Sequence, residues 1–337
     1  MTTTHLQAGF RQAVCAVLML SGTVPLCRAA ETDIGKLAAT MKPGEWAQLE
    51  SADYVQATLM RGDDILAYCG KAAWAEPSQQ VLFIGQVHLK GPPVFICYRA
   101  LENRWQSLPT PAWAESLKWF HAYENNACDS VRGIFYHHSS ASGLVHKYIV
   151  ADDHWSTLPE LPAPTGHGTA LEYFPEMKGL VHALNGEVWF WSQEQNKWWP
   201  LQRDLEMGPY HNFACYSTRF QSVLLGGGNG SQAIHRLNSA GKLTAGAKSP
   251  VELGVGRSLN IADPVSGELV VLATGGKFLA YHPAEDAWRD LPADNLPFPK
   301  YAGHSISAAT LAGTGVILYF SSSPQGMKTF LYKHAVR

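Results

Sequence analysis

The chain has 337 residues, with 26 Lys and Arg against 28 Asp and Glu, a net charge of −2. Charged residues make up 16% of it, against about 25% in an average soluble protein, and no basic run supplies the positive face that nucleic-acid binding needs. Hydrophobic residues at 46%, with 11 Trp, 13 Tyr and 13 Phe, exclude disorder and ask what so many rings are for.

The first thirty residues read as an address. Arg11 precedes a short apolar run at 13–20, and the small residues Ala29 and Ala30 follow. This order predicts a secretory signal peptide over 1–30, leaving a mature chain 31–337 exported to the periplasm or beyond the cell. The run is shorter than the ~20 apolar residues of a membrane span, and no other stretch is long enough. Export leaves Cys69, Cys97, Cys128 and Cys215. Their three full pairings and the free thiols stay open, and no CxxC pair suggests zinc.

A repeat organises the rest. Trp46-Ala47-Gln48-Leu49 carries a Trp-x-x-Leu signature that returns at Trp105, Trp155, Trp198 and Trp288. Each of these four has an aromatic residue seven positions earlier (Tyr98, Tyr148, Trp191, Tyr281) and a leucine three positions later. From Trp105 onward the spacings are 50, 43 and 90 residues, the last being two steps of one period; such self-similarity marks a repeat architecture. The stretch 51–64 is read as an insertion before the first unit.

One unit is legible from Arg257 to Leu291. Strands are expected at 258–262, 268–274 and 277–281, with a short fourth at 288–291. Turn residues separate them, including Asp263-Pro264, Gly275-Gly276 and Glu285-Asp286. Asp152-Asp153 plays the same turn role before Trp155. Four strands in ~45 residues make one propeller blade. Near Leu243 a degenerate unit lacks its tryptophan. After Leu291 the chain supplies three more strands, at 305–310, 316–320 and 329–332, and then stops. The strand at Trp46 completes this last blade, so the expected fold is all-β, a single six-bladed propeller over 31–337 closed by its N-terminal strand.

Gly275-Gly276, Tyr281 and Trp288 together resemble the kelch repeat of the galactose oxidase-like propellers. Gly226-Gly227-Gly228 supplies the glycines of another unit; elsewhere they are degraded, as at Gly85-Gln86 and His137-His138. The resemblance spans nearly the whole mature chain and implies a fold, while kelch propellers include both binding modules and enzymes.

Aligning the units places one column at the start of each innermost strand: Cys69, His121, His167, His211, Arg257 and His304. These residues are expected around the central channel. They offer either a ligand or metal site, with Cys69 and His121 as the metal pair, or hydrogen-bonding residues that register the blades. Six positions around a channel are too far apart for all to hold one ion. No cofactor beyond that is expected. Loops after the second strands carry Gln86, His137, Asn185 and Asn229, the expected rim of a binding face. Trp113 and Trp119, in an inter-blade segment, are candidates for stacking on sugar rings. The run 226–230 lacks the Lys-Ser/Thr and helix of a phosphate loop and is rejected as one.

No convincing catalytic pair emerges. The expected function is an exported binding module for a glycan or a protein, recognised through one propeller face. The resemblance also admits a carbohydrate-active enzyme, either a copper radical oxidase or a sialic-acid mutarotase. Those oxidases have seven blades, larger chains and a Tyr–Cys cross-link; the mutarotases match in size and blade number, but their acid and arginine match no particular residue here. A structural factor of the envelope is a third reading.

Overall fold

The computed structural model describes residues 31–54, 65–86, 93–115, 117, 121–163, 166–298, 305–323 and 326–335. The expected signal peptide, Trp119 and His304 lie outside them. A short helix, α1 (Asp33–Thr40), comes first, its N-terminus capped by the Thr32 hydroxyl, which accepts from the Gly35 amide at 3.0 Å. Ile34 and Ala38 anchor it in the core. Then come β1 (Glu45–Leu49) and β2 (Ala52–Tyr54).

Five complete blades follow in chain order. Blade one is β3 (Ala73–Ala75), β4 (Gln80–Gly85), β5 (Val94–Arg99) and β6 (Arg104–Leu108). Blade two is β7 (Asn126–Asp129), β8 (Ile134–Ser139), β9 (Leu144–Ile149) and β10 (His154–Thr157). Blade three is β11 (Ala170–Phe174), β12 (Gly179–Leu184), β13 (Glu187–Ser192) and β14 (Lys197–Gln202). Blade four is β15 (Asn212–Ser217), β16 (Ser222–Gly227), β17 (Ile234–Asn238) and a three-residue β18 (Leu243–Ala245). Blade five is β19 (Ser258–Ala262), β20 (Leu269–Ala273), β21 (Lys277–His282) and β22 (Ala287–Asp290).

The sixth blade is shared between the two ends of the chain. β23 (Ile306–Leu311), β24 (Val316–Ser323) and β25 (Gly326–Lys333) take β1 as their outermost strand. Each innermost strand packs against two others, and β23 returns to β3, which closes the ring. The expected six-bladed propeller is the fold. One detail differs from the sequence reading. Part of the stretch taken as an insertion joins blade one, where β2 runs parallel to β6 as a fifth strand; residues 55–64 lie outside the described part.

The seven-residue aromatic spacing has a simple cause. In each 3→4 hairpin it places the two rings directly opposite one another: Tyr98 faces Trp105, Tyr148 faces Trp155, Trp191 faces Trp198 and Tyr281 faces Trp288. In the shared blade Trp46 faces Tyr332, two residues that only the closed ring brings together. Cross-strand aromatic pairs of this kind are the unit of sheet stabilisation. Between the partners a turn residue adopts the left-handed conformation: Asn103, Asp153, Asn196 and Asp286, with φ of 47–52°. Asn and Asp tolerate that region, and here they also accept hydrogen bonds. The hydroxyls of Tyr98, Tyr148 and Tyr281 donate to Asn103, Asp153 and Asp286 at 2.6–2.7 Å.

The tryptophans then tie neighbouring blades. Trp105 Nε1 donates to Thr329 Oγ1 of blade six at 2.9 Å. Trp198 donates to the Pro159 carbonyl, and Trp288 to that of Ala247, both in the segment leaving the preceding blade. Middle strands are buried on both faces, as at Leu269–Ala273 and Ser222–Gly227. That is why they read as continuous apolar runs, and why so little of the chain is charged. Cys97, Cys128 and Cys215 are unbridged thiols in these packed layers. Burial pushes Cys97 up to about 12 and the other two well above their ordinary value.

Candidate functional site

In every blade the innermost strand begins at the same end at which the second strand finishes, because the two run antiparallel. The segments leading into the innermost strands and the loops after the second strands therefore share one face. On this face the channel mouth is lined with rings from four lead-in segments. Tyr68 stacks on His121 at 5.3 Å and on His211 at 5.9 Å. Tyr123 lies 5.3 Å from His211, and His121 lies 6.3 Å from His167. His121 Nδ1 is hydrogen-bonded to the Tyr123 hydroxyl. His211 Nδ1 donates to Asn229 Oδ1 at 2.8 Å. Tyr210, beside His211, is 50% exposed.

The backbone here is unusual. Tyr68, Tyr123, Tyr210 and His211 have φ of 56, 43, 54 and 60°, a region that costs bulky residues free energy and persists only where the surroundings fix it. The surroundings are two glycines. A Cβ on Gly168 would meet the His211 nitrogen at 2.2 Å, and one on Gly254 would meet the His211 carbonyl at 1.9 Å. Three lead-in segments thus interlock around one histidine. Burial holds His211 below its ordinary value, with the Asn229 bond opposing, and burial raises the Tyr123 phenol, with Tyr68 and Tyr210 adding to it.

Below the rings lies a charged layer. The inner segments pair directly across the channel wall, Cys69 with Tyr123, Glu124 with Ala170 and Lys71 with Ala308. Glu124 is fully buried, level with Gly70 and one step deeper than Tyr123. A Cβ on Gly70 would fall 2.4 Å from Glu124 Oε1, so glycine is what makes room for the carboxyl. One step deeper again, Lys71 reaches across the axis. Its ammonium donates to the Leu171 carbonyl (2.7 Å), the Ala214 carbonyl (2.9 Å) and Glu172 Oε2 (2.7 Å), joining blades one, three and four. Burial works against its charge, yet neighbouring Glu172 leaves the group raised. Burial pushes Glu124 up to about 8, with Lys71 opposing and Glu172 reinforcing.

The residues of the column part company. His121, His167 and His211 meet at the mouth. Cys69 lies in the channel wall, its Sγ near the carbonyls of Lys71 (3.7 Å) and Ile84 (3.9 Å) and the Ser307 hydroxyl (3.9 Å). Arg257 is exposed on the same face and pairs with Glu252 at 3.1 Å. Among the loop candidates, Asn229 touches the cluster directly. Asn185 is an exposed hairpin tip whose amide donates to Asn212 Oδ1 at 3.0 Å, and Gln86 is buried at the end of β4. His137 sits inside β8, fully buried, bonded to Asn126 Oδ1 at 2.8 Å. Its neighbour His138 turns the other way, to Thr169 at 2.9 Å, so the pair ties β8 to β7 within blade two and to the segment leading into blade three. Trp113 stacks on His146 at 4.0 Å beside Trp155, a packing role. Tyr68, Tyr123, Tyr210, Glu124 and Lys71 were not singled out by sequence reasoning, since they stand in irregular lead-in segments where no repeat position marks them.

Among the described residues no group of three His, Cys, Asp or Glu side chains could hold a metal ion. A cross-linked copper centre asks for a thiol against a tyrosine ring, whereas Cys69 Sγ is turned to wall carbonyls and the Ser307 hydroxyl. The described donor set does not fit that group.

No protein-family model and no curated protein matches the chain. Solved structures do resemble it. A structural genomics protein of unknown function from Bacteroides thetaiotaomicron VPI-5482 has a TM-score of 0.56 at 11% identity, covering 85% of this chain and 76% of that one. A fungal alcohol oxidase of the AA5 family, solved with copper, gives 0.51 at 10%, covering 87% and 77%. A chain of a nidogen/laminin complex gives 0.50 at 10%, covering 68% and 80%. At such identities the likeness is one of fold.

Proposed function

We propose that the chain is an exported, kelch-type propeller that binds a glycan at the channel mouth. The observation that carries this reading is the convergence of Tyr68, Tyr123, Tyr210 and three histidines from separate blades, with the aromatic residues held in left-handed backbone. Rigid rings with one polar atom each offer stacking faces and hydrogen-bonding edges at little entropic cost, the combination a sugar ring needs. Tyr210 supplies the exposed platform, and Asn229, Asn185 and Arg257 supply polar groups on the same face. The kelch-like Gly-Gly, Tyr and Trp positions support the family reading, and the charged–apolar–small order of residues 1–30 supports export. An oxidase reading draws no support from the donor set described above.

The test is a glycan array probed with the chain 31–337 and with its Tyr210→Ala and His211→Ala variants. Binding by the parent and its loss in both variants is the expected result. A blank array would overturn the glycan reading and turn the same face toward a protein partner.

A further inference from the structure

Glu124 is a buried carboxyl that the fold leaves unsatisfied. Its side chain is fully buried, and neither carboxylate oxygen has a hydrogen-bond partner. Native proteins rarely leave such a group unsatisfied, because a buried polar atom without a partner costs free energy. Gly70 gives up a side chain to admit it. What faces it is also defined. Beside it in the channel wall stands Gly70, with the Val255 Cγ2 3.4 Å from the position a Gly70 Cβ would take. Below are Lys71, Glu172 and the Cys215 thiol, and toward the mouth Tyr123 and Tyr68. The Lys71 ammonium spends its three hydrogen bonds on two carbonyls and Glu172, so it acts on Glu124 through charge alone and donates no bond to it. Arg257, the mouth's guanidinium, is paired outward with Glu252.

A carboxyl wanting donors thus lies beneath phenol faces and imidazoles, with no uncommitted cation beside it among the described residues. Aromatic faces attract cations, and a desolvated carboxylate bonds an ammonium strongly. We propose that the mouth takes an amino sugar, its primary ammonium seated on the Glu124 carboxylate under the tyrosine rings. This rests on the reading of the mouth as a glycan site and names the sugar's class. Glu124 holds its proton in the ligand-free protein, with burial as the main cause, and gives it up to solvent as the ammonium binds. The ligand's own proton stays on nitrogen.

Titration calorimetry of chain 31–337 with glucosamine trisaccharide and its fully N-acetylated counterpart, in two buffers of different ionisation enthalpy, decides the matter. The free-amine form should bind about tenfold or more tightly, releasing about one proton per ligand near pH 6, where both Glu124 and the sugar amine start protonated. In Glu124→Gln both the preference and the proton release should vanish. Equal binding of the two sugars without proton release overturns the amine seat and leaves the glycan reading standing. Binding of neither overturns both. If the variant does not fold, the parent's proton count and preference decide alone.

Discussion

The outer hairpins and the channel mouth both place side-chain-bearing residues in left-handed backbone, but they fill it differently. At the hairpins the residues are Asn103, Asp153, Asn196 and Asp286, types that accept this conformation readily, and the first, second and fourth each accept a tyrosine hydroxyl. At the mouth they are His211 and three tyrosines, Tyr68, Tyr123 and Tyr210, and the bulky tyrosines resist it. The first set is turn chemistry repeated for stability. The second is strain kept in place by the interlocking lead-in segments, and strain of that sort collects where a protein meets its ligand.

The comparison can be broken at several points. The largest effect is expected deep in the channel. Lys71→Ala leaves the largely enclosed Glu172 without its cation and two carbonyls without a donor, and should destabilise by about 3–5 kcal/mol in urea unfolding. A change below 1 kcal/mol would remove Lys71 as a tie between blades.

Glu124 should act in the opposite direction. Its carboxyl is raised from 4.5 to about 8 in the folded chain, so the folded state keeps a proton that the unfolded state releases. That contribution is whole below the ordinary value and fades as pH climbs to about 8. On the acid side His138 and His146 are held near 4 by burial, and His137 and His182 well below 6.5. Their contribution is present above 6.5 and is lost as pH falls through those depressed values. Thermal unfolding across pH 4–9 should therefore show decline at both ends. Glu124→Gln should flatten the alkaline limb and leave the acid limb alone; an unchanged alkaline limb would count against a neutral buried Glu124.

The hairpins should respond more mildly. Asp286→Ala removes the acceptor for Tyr281 and forces an alanine into left-handed backbone, a loss of about 1–2 kcal/mol. The smallest stability effect, and the sharpest contrast, is at Tyr210. Tyr210→Gly relieves a φ of 54° and should raise stability by up to about 1 kcal/mol while abolishing glycan binding. A variant that binds normally would detach the strain from the function.

The fold was legible because its signal is periodic. The spacing from Tyr98 to Trp105 is a hairpin register, and the lone Trp46 found its partner in Tyr332 at the far end of the chain. The aspartate or asparagine two positions before each of the four later tryptophans was equally periodic, and its hydrogen-bonding role could have been read with it. The site was legible in part. A column drawn at one depth finds His121, His167 and His211, but each lead-in segment bends differently on its way to the axis. Arg257 is thereby turned outward and Cys69 into the wall, while Tyr68 and Tyr123 enter the mouth without a repeat position to announce them. Lys71 and Glu172 are 101 residues apart, and nothing local in either says they will meet.

The shared sixth blade also sets an order of events. β1 is made before any other strand, yet its partner β25 ends at Lys333, so the emerging chain carries an unpaired strand until β25 has been made. Non-local pairings of this span are slow to form, and open strand edges invite association while they wait. Blades one to five can each form from contiguous sequence, whereas ring closure is a single late step that joins the ends. A nascent chain therefore spends its synthesis as an open arc, and the channel mouth exists only once the arc has shut.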